Sequence, residues 1–248
     1  MAHFRVFLFV LISLATGGAI SQAIGQVRLN VNETTLEEPN QRTAEVSTEE
    51  LKKILANKSE PVLDVRSTTE YAIAHIPGSV NVYEKEIERV LQLFPDKAAR
   101  FVLYCNGPFC GKSKRLSEQL VKLGYTNVRR YQLGLPVWRA LGNTVQTDLE
   151  GFRYVIAKDK TAVFVDARSQ REFQMETIPG ASNIHVGEAE KANEDGRLPY
   201  RDKGTRVIVF ANSPEEARVV TAEIAKKAYW NSSYFGGSFE DLKRAHLW

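Results

Sequence analysis

The sequence predicts an α/β protein of two tandem domains, each a mostly parallel central sheet flanked by helices. Three observations carry this. The chain of 248 residues states one pattern twice: residues 62–82 read VLDVRSTTEYAIAHIPGSVNV and residues 164–184 read FVDARSQREFQMETIPGASNI, at a constant offset of 102. A second pair of apolar runs, FVLYCN at 101–106 and VIVFAN at 207–212, follows at an offset of 106. In both copies such strand-like runs alternate with helical periodicity, which is how parallel sheets with crossover helices are written. Composition agrees: 43% hydrophobic and 25% charged is ordinary globular chemistry, enough for two cores of about 100 residues each.

The first 23 residues stand apart. Arg5 precedes an apolar run from Val6 to Ala15, and Ser21-Gln22-Ala23 offers a small-x-small cleavage site. That order is expected of a secretory signal peptide over 1–23, with a periplasmic or secreted protein as the product and no membrane attachment after cleavage. The run is too short for the roughly 20 residues that span a bilayer. Cleavage removes one cation, leaving 32 basic against 30 acidic residues, a net +2. Residues 24–45 are polar and read as a loose lead-in. Nothing in the charge pattern supports nucleic-acid binding.

Domain 1 is expected over 46–139. Ser47-Thr48-Glu49-Glu50 reads as a capping box, with Val46 and Leu51 placed as a hydrophobic staple, so a helix starts just after Ser47. It leads to a strand at Val62–Asp64 and, later, to a buried strand at Phe101–Tyr104. Leu116, Leu120 and Leu123 then repeat with helical spacing, and Gly124 sits where a helix C-cap glycine belongs. Residues 140–150, with Gly142 and Asn143, read as a linker. Domain 2 is expected over 151–248, with Ala217, Val220, Ile224 and Ala228 on its corresponding helix. The offset grows by four between the two matched blocks, which predicts four extra residues in copy two near Glu194–Tyr200.

Both cysteines of the chain, Cys105 and Cys110, fall in one loop. Cys105 ends a strand and is followed by Asn106-Gly107-Pro108-Phe109-Cys110-Gly111-Lys112, after which a helix begins. Ligands of open α/β sheets bind beyond the carboxyl ends of strands. A glycine-bearing loop running into a helix N-terminus converges backbone N–H groups on an anion. The same field, with Lys112, Lys114 and Arg115 nearby, is expected to lower the Cys105 pKa and favour thiolate. The pattern suits a nucleophilic cysteine acting on a small anionic substrate. Other readings of the same residues are a buried apolar Cys105, and a Cys105–Cys110 disulfide that braces the loop or switches it. Two cysteines and the scattered His3, His75, His185 and His246 supply no metal site. His75 reads as a support for its loop.

These residues resemble the rhodanese family of sulfurtransferases. Leu63-Asp64-Val65-Arg66…Glu70-Tyr71…His75-Ile76-Pro77-Gly78-Ser79…Asn81 is similar to the family's first-half signature, and the strand-end Cys105 with its loop is similar to the second. Gly134 and Trp138 resemble the Gly-Gly-x-x-x-Trp element near such a domain's end. The resemblance implies a persulfide on Cys105, loaded from an anionic sulfur donor such as thiosulfate and discharged to cyanide or a thiol, with no cofactor. It implies that Asn106 to Lys112 hold the donor. Asp64 and Arg66 are expected to support the strand end, as a structural ion pair, rather than to react.

The chain departs from the family at three points. Copy two has Ala211 where copy one has Cys105, and the following residues Asn212-Ser213-Pro214-Glu215-Glu216 bring two acids and no thiol. Domain 2 is therefore expected to be inactive and free for a protein partner. The loop lacks the arginine common in the family, Lys112 being its nearest cation, and Cys110 lies within it. A non-catalytic binding module and a thiol–disulfide protein working through Cys105 and Cys110 remain alternative functions. A cysteine phosphatase is disfavoured, because such loops end in an arginine that grips phosphate with two hydrogen bonds.

Overall fold

The computed structural model describes residues 30–248. The expected signal peptide at 1–23 lies outside the described residues. No helix among the described residues is long and apolar enough to cross a membrane.

Two five-stranded sheets form, and every strand pair within them is parallel. The first contains β1 (Ala44–Glu45), β2 (Val62–Asp64), β3 (Val80–Asn81), β4 (Arg100–Tyr104) and β5 (Asn127–Tyr131) in the order β1-β5-β4-β2-β3. The second contains β6 (Gln146–Thr147), β7 (Val163–Asp166), β8 (Ser182–Asn183), β9 (Val207–Phe210) and β10 (Ser232–Phe235) in the order β6-β10-β9-β7-β8. The orders are the same, strand for strand. The helices are α1 (Thr48–Asn57), α2 (Thr68–Ile73), α3 (Ile87–Leu93), α4 (Lys112–Lys122) and α5 (Gly134–Ala140) in the first half. The second half has α6 (Leu149–Lys158), α7 (Gln170–Met175), α8 (Ala189–Asp195), α9 (Pro214–Ala225) and α10 (Phe239–Arg244).

Each sheet is covered on both faces, and the two-residue period of its strands sorts the side chains. Along β4, Val102 and Tyr104 enter a core with Leu51, Leu135 and Trp138. Phe101, Leu103 and the next residue, Cys105, enter the opposite core with Leu116 and Leu120 of α4. Copy two repeats the division: Ile208 and Phe210 lie on one face and Val207, Val209 and Ala211 on the other. Alternation alone therefore puts Cys105 and Ala211 on equivalent faces.

The start of α1 differs in part from its expectation. Ser47 Oγ accepts from Glu50 N–H at 3.2 Å, and Val46 and Leu51 share one core. The Glu50 carboxylate, however, pairs with Arg129 instead of reaching back to Ser47. Reciprocal capping boxes form instead at Ser67/Glu70, Ser169/Glu172 and Ser238/Asp241. The excess of copy two falls at 196–205, between α8 and β9, opposite 94–99 of copy one.

Two segments read as irregular are structured. In the lead-in, β1 pairs with β5, and Glu45 and Glu38 both grip buried Arg130, at 2.5 and 3.1 Å. In the linker, β6 pairs with β10 of the second sheet, and α6 starts at Leu149. Only its first part, through Gly142 and Asn143, connects the halves as a turn.

The halves are joined closely. His75 exchanges two backbone hydrogen bonds with Gln146, both 2.9 Å. Its ring is buried, stacks on Tyr71 with centroids 3.9 Å apart, and bonds the Tyr71 carbonyl through Nδ1 at 2.9 Å. Thr147 Oγ1 donates to Ile73 O at 2.8 Å. Helix α6 meets α2 at Gly151, where a Cβ would stand 1.9 Å from Ala72 O; only glycine lets the two helices approach so far.

Candidate active site at the end of strand β4

Asp64 and Arg66 close the carboxyl end of β2. The Arg66 guanidinium is bidentate on the buried Asp64 carboxylate, with Nη2 to Oδ2 at 2.5 Å and Nε to Oδ1 at 2.9 Å. Its Nη2 also donates to Ala74 O at 2.6 Å, and Nη1 reaches Asn106 Oδ1 at 3.2 Å. Burial works against the charge of Arg66, but the Asp64 contacts outweigh it and hold the guanidinium protonated. The pair thus braces the strand end and orients the first residue after Cys105. Copy two repeats the frame with Asp166 and Arg168, whose Nη2 reaches Glu176 O at 2.6 Å.

The loop is shaped by two glycines with positive φ, Gly107 at 92° and Gly111 at 70°. Cys110 N–H closes a turn on Gly107 O at 3.1 Å, and Gly111 serves as the N-cap position of α4. Phe109 at the tip is fully exposed. Behind the loop, Leu135 N–H donates to Cys105 O at 3.0 Å. Gly134 (φ 66°) packs so close that a Cβ would stand 2.3 Å from Gly107 N.

The Cys105 sulfur lies in this enclosure with the residue only 1% exposed. Its polar neighbours are Ser113 Oγ at 3.5 Å and Gly107 O at 3.8 Å. Both cysteines are free thiols. Burial pushes the Cys105 thiol up, the Ser113 hydroxyl and backbone N–H pull it back, and Cys110 adds a further upward push. The net direction is upward, opposite to the thiolate-favouring field expected from the sequence. The reason is visible in the partners of the cations. Lys112 Nζ pairs with Glu70 at 3.0 Å, Lys114 with Glu38 at 3.0 Å, and Arg115 with Glu84 at 2.7 Å. Each loop cation is spent on a carboxylate, while the sulfur sits on the apolar α4 face.

Among the expected site residues, Gly107 O and Cys110 lie by the sulfur, Asn106 turns to Arg66 and Glu70, and Lys112 is directed to Glu70. Sequence reasoning gave no site role to Ser113, Glu70 or Gly134, although Glu70 and Gly134 stand in the motifs it picked out. Glu70 is a hub: its carboxylate accepts from Asn106 Nδ2 at 2.6 Å, Lys112 Nζ at 3.0 Å and Ser67 Oγ at 2.8 Å. The available signal was its place in both copies, three residues after a helix-capping serine. Burial raises its pKa, but the bonds from Lys112, Ser67 and Asn106 outweigh this and hold it at about 2, against an ordinary 4.5. A depressed carboxylate stabilises the fold above its unfolded pKa and loses that contribution as pH falls through its folded value. Glu70→Gln is therefore expected to flatten the acid limb of a melting-temperature profile between about pH 4.5 and 2. Equal slopes for both proteins would contradict this.

Copy two departs further than one residue. Ala211 replaces the cysteine, and only Asn212 and Ser213 precede α9, whereas six residues, 106–111, separate Cys105 from α4. Pro214, Glu215 and Glu216, which read as loop, form the first turn of α9, with Ser213 as its cap. Asn212 still holds Glu172 at 2.8 Å, as Asn106 holds Glu70. The frame is kept and the loop is gone. Among the described residues no cluster of His, Cys, Asp and Glu is arranged to hold a metal.

A twofold α/β unit with a strand-end cysteine loop defines the class, and comparison with known proteins agrees. The rhodanese-like domain profile matches residues 47–141 and again 154–245. The chain belongs to the rhodanese family. It is 37% identical over 106 residues to the thiosulfate:glutathione sulfurtransferase of Homo sapiens, covering 38% of this chain and 90% of that protein. It is 38% identical over 68 residues to the thiosulfate sulfurtransferase PspE of Escherichia coli (strain K12), covering 27% of this chain and 62% of that one. A crystal structure of a thiosulfate sulfurtransferase from Pseudomonas aeruginosa aligns with 82% of this chain at 22% identity and a TM-score of 0.39. This chain spans 42% of that Pseudomonas chain.

Proposed function

We propose that the protein is a sulfurtransferase that moves sulfane sulfur from an anionic donor such as thiosulfate to a thiol or cyanide, through a persulfide on Cys105. The observation that carries this reading is Cys105 itself, held beyond β4 by the Gly107–Gly111 loop against Ser113, in a chain whose other copy has no thiol. The Cys105 thiolate attacks the outer sulfur of thiosulfate. A new S–S bond forms to Cys105, the donor S–S bond breaks, and sulfite leaves with the electron pair. An acceptor thiolate or cyanide then attacks the terminal sulfur of the persulfide. The Cys105 thiolate is released, and the two steps together are redox-neutral. Export to the periplasm or outside the cell, on the strength of residues 1–23, belongs to the same proposal.

Ser113 has a defined part in this route. Its hydroxyl and N–H are hydrogen-bond donors next to the sulfur, so they stabilise the negative charge of the thiolate. Intact-mass analysis of the reduced protein before and after thiosulfate tests the proposal. A gain of one sulfur atom, absent in Cys105→Ser and removed by cyanide, is expected. A protein that never gains sulfur overturns it in favour of a non-catalytic rhodanese-like module.

A further inference from the structure

A cleft of about 250 Å³ opens between the two halves, and its Leu135 belongs to the core on the sheet face opposite that of Cys105. Copy one lines it with Asn106, Leu135, Pro136 and Arg139, and copy two with Arg206 and Trp230. Arg139 is the unusual member. Its Nη1 donates to Asn231 Oδ1 across the domain junction at 3.0 Å, but its buried Nε and Nη2 have no hydrogen-bond partner. Among the described residues no carboxylate pairs with it. Its charged neighbours are Arg206 and Arg66.

The other charges at the cleft are already balanced. Arg206 bonds Asp159 at 3.1 Å, Arg66 bonds Asp64 at 2.5 Å, and the Glu70 carboxylate is held by Lys112 at 3.0 Å. One positive charge, that of Arg139, is left over. The fold does not impose this. Leu135 and Phe239 make the same backbone bond, to Cys105 O and Ala211 O, so Arg139 corresponds to Lys243 in copy two. Lys243 has two carboxylates, Glu176 at 2.8 Å and Glu240 at 3.3 Å. Burial, with Arg206 and then Arg66, pulls the Arg139 pKa down to about 9, the mark of a half-buried cation whose enclosed donors have no counter-ion. Such a charge is costly unless something of opposite sign pairs with it.

We propose that this interdomain cleft is a binding site for a small organic oxyanion, a carboxylate or sulfonate carrying an apolar body. The oxyanion pairs with Arg139 and Arg206, whose planar donors suit two-point contact. The apolar body lies against Trp230, Leu135 and Pro136. Asn106 borders both this cleft and the cysteine loop, so an anion held here lies beside the loop without occupying the sulfur's own enclosure. The site stands independently of the chemistry at Cys105, because its test reads binding alone.

The test titrates the full-length protein with propane-1-sulfonate, butanoate and, as an uncharged control, 1-propanol, followed by calorimetry and by melting temperature. Saturable binding of either anion and none of the alcohol is expected; which anion binds more tightly separates sulfonate from carboxylate. Arg139→Gln is expected to weaken anion binding by roughly tenfold or more, and to melt no lower than the parent when no anion is present. Arg206→Gln provides a second variant with a weakening in the same direction. Absence of saturable binding to the parent, or unchanged affinity in both variants, overturns the proposal. Loss of binding in Lys112→Gln with full retention in Arg139→Gln does so too, by assigning the anion to the cysteine loop.

Discussion

Cys105→Ser is expected to lower thiosulfate-dependent sulfur transfer by about a thousandfold or more, as removal of a covalent nucleophile does elsewhere. A hydroxyl in the same place keeps the volume and the Ser113 neighbour, so the fold should be undisturbed and the loss assignable to chemistry. The same step has a pH signature. Burial raises the Cys105 pKa and Ser113 lowers it. The thiolate is the reactive form, so persulfide formation should accelerate as pH rises above neutrality. Ser113→Ala removes one of the groups that lower the pKa and should move the inflection to higher pH. Rates from rapid quench and mass analysis across pH give both curves. Undiminished transfer in Cys105→Ser would reassign the nucleophile, and an unmoved inflection in Ser113→Ala would remove Ser113 from its role.

Gly134→Ala is expected to destabilise the protein by about 2–4 kcal/mol, one part from a side chain at positive φ and one from overpacking. The backbone there has φ 66°, and the added Cβ would stand 2.3 Å from Gly107 N and 2.5 Å from Cys105 O. Neither neighbour is a flexible side chain, so relief requires the loop to shift. Persulfide loading should therefore slow as well, by about tenfold to a hundredfold, since small misplacements of reacting groups have effects of that size. Gly142 is the internal control: its φ is 76°, and nothing lies within 4 Å of an added Cβ. Gly142→Ala should cost only about 1 kcal/mol, the backbone part alone. Denaturant midpoints for the two variants measure the difference, and equal losses would show that the contact with Gly107 contributes nothing.

The repeat was legible because its identities sit at strand ends and helix caps, where geometry is demanding. Asp64, Arg66 and Glu70 with their partners 102 residues later mark those positions. The buried strands were legible from apolar runs, and the cysteine loop from its two glycines between a strand and a helix. What the sequence hid was of two kinds. Strands β1 and β6 have two residues each, too few to show a period, so a lead-in and a linker stood in their place. The electrostatics failed for another reason. Lys112, Lys114 and Arg115 are visible as a basic cluster, but their partners Glu70, Glu38 and Glu84 come from distant segments that only the fold brings together. The unpaired state of Arg139 is invisible for the same reason.

The short β9–α9 connection of copy two limits what a point substitution can do there. A residue exchanged can be exchanged back, and Ala211 differs from cysteine by one atom. The length between β9 and α9 is another matter. Two residues stand there where copy one has six, and a proline-started helix follows at once. Reversal would require an insertion that also unseats a capped first turn. Substitution at Ala211 alone therefore places a thiol at the strand end without the loop that encloses Cys105 in copy one.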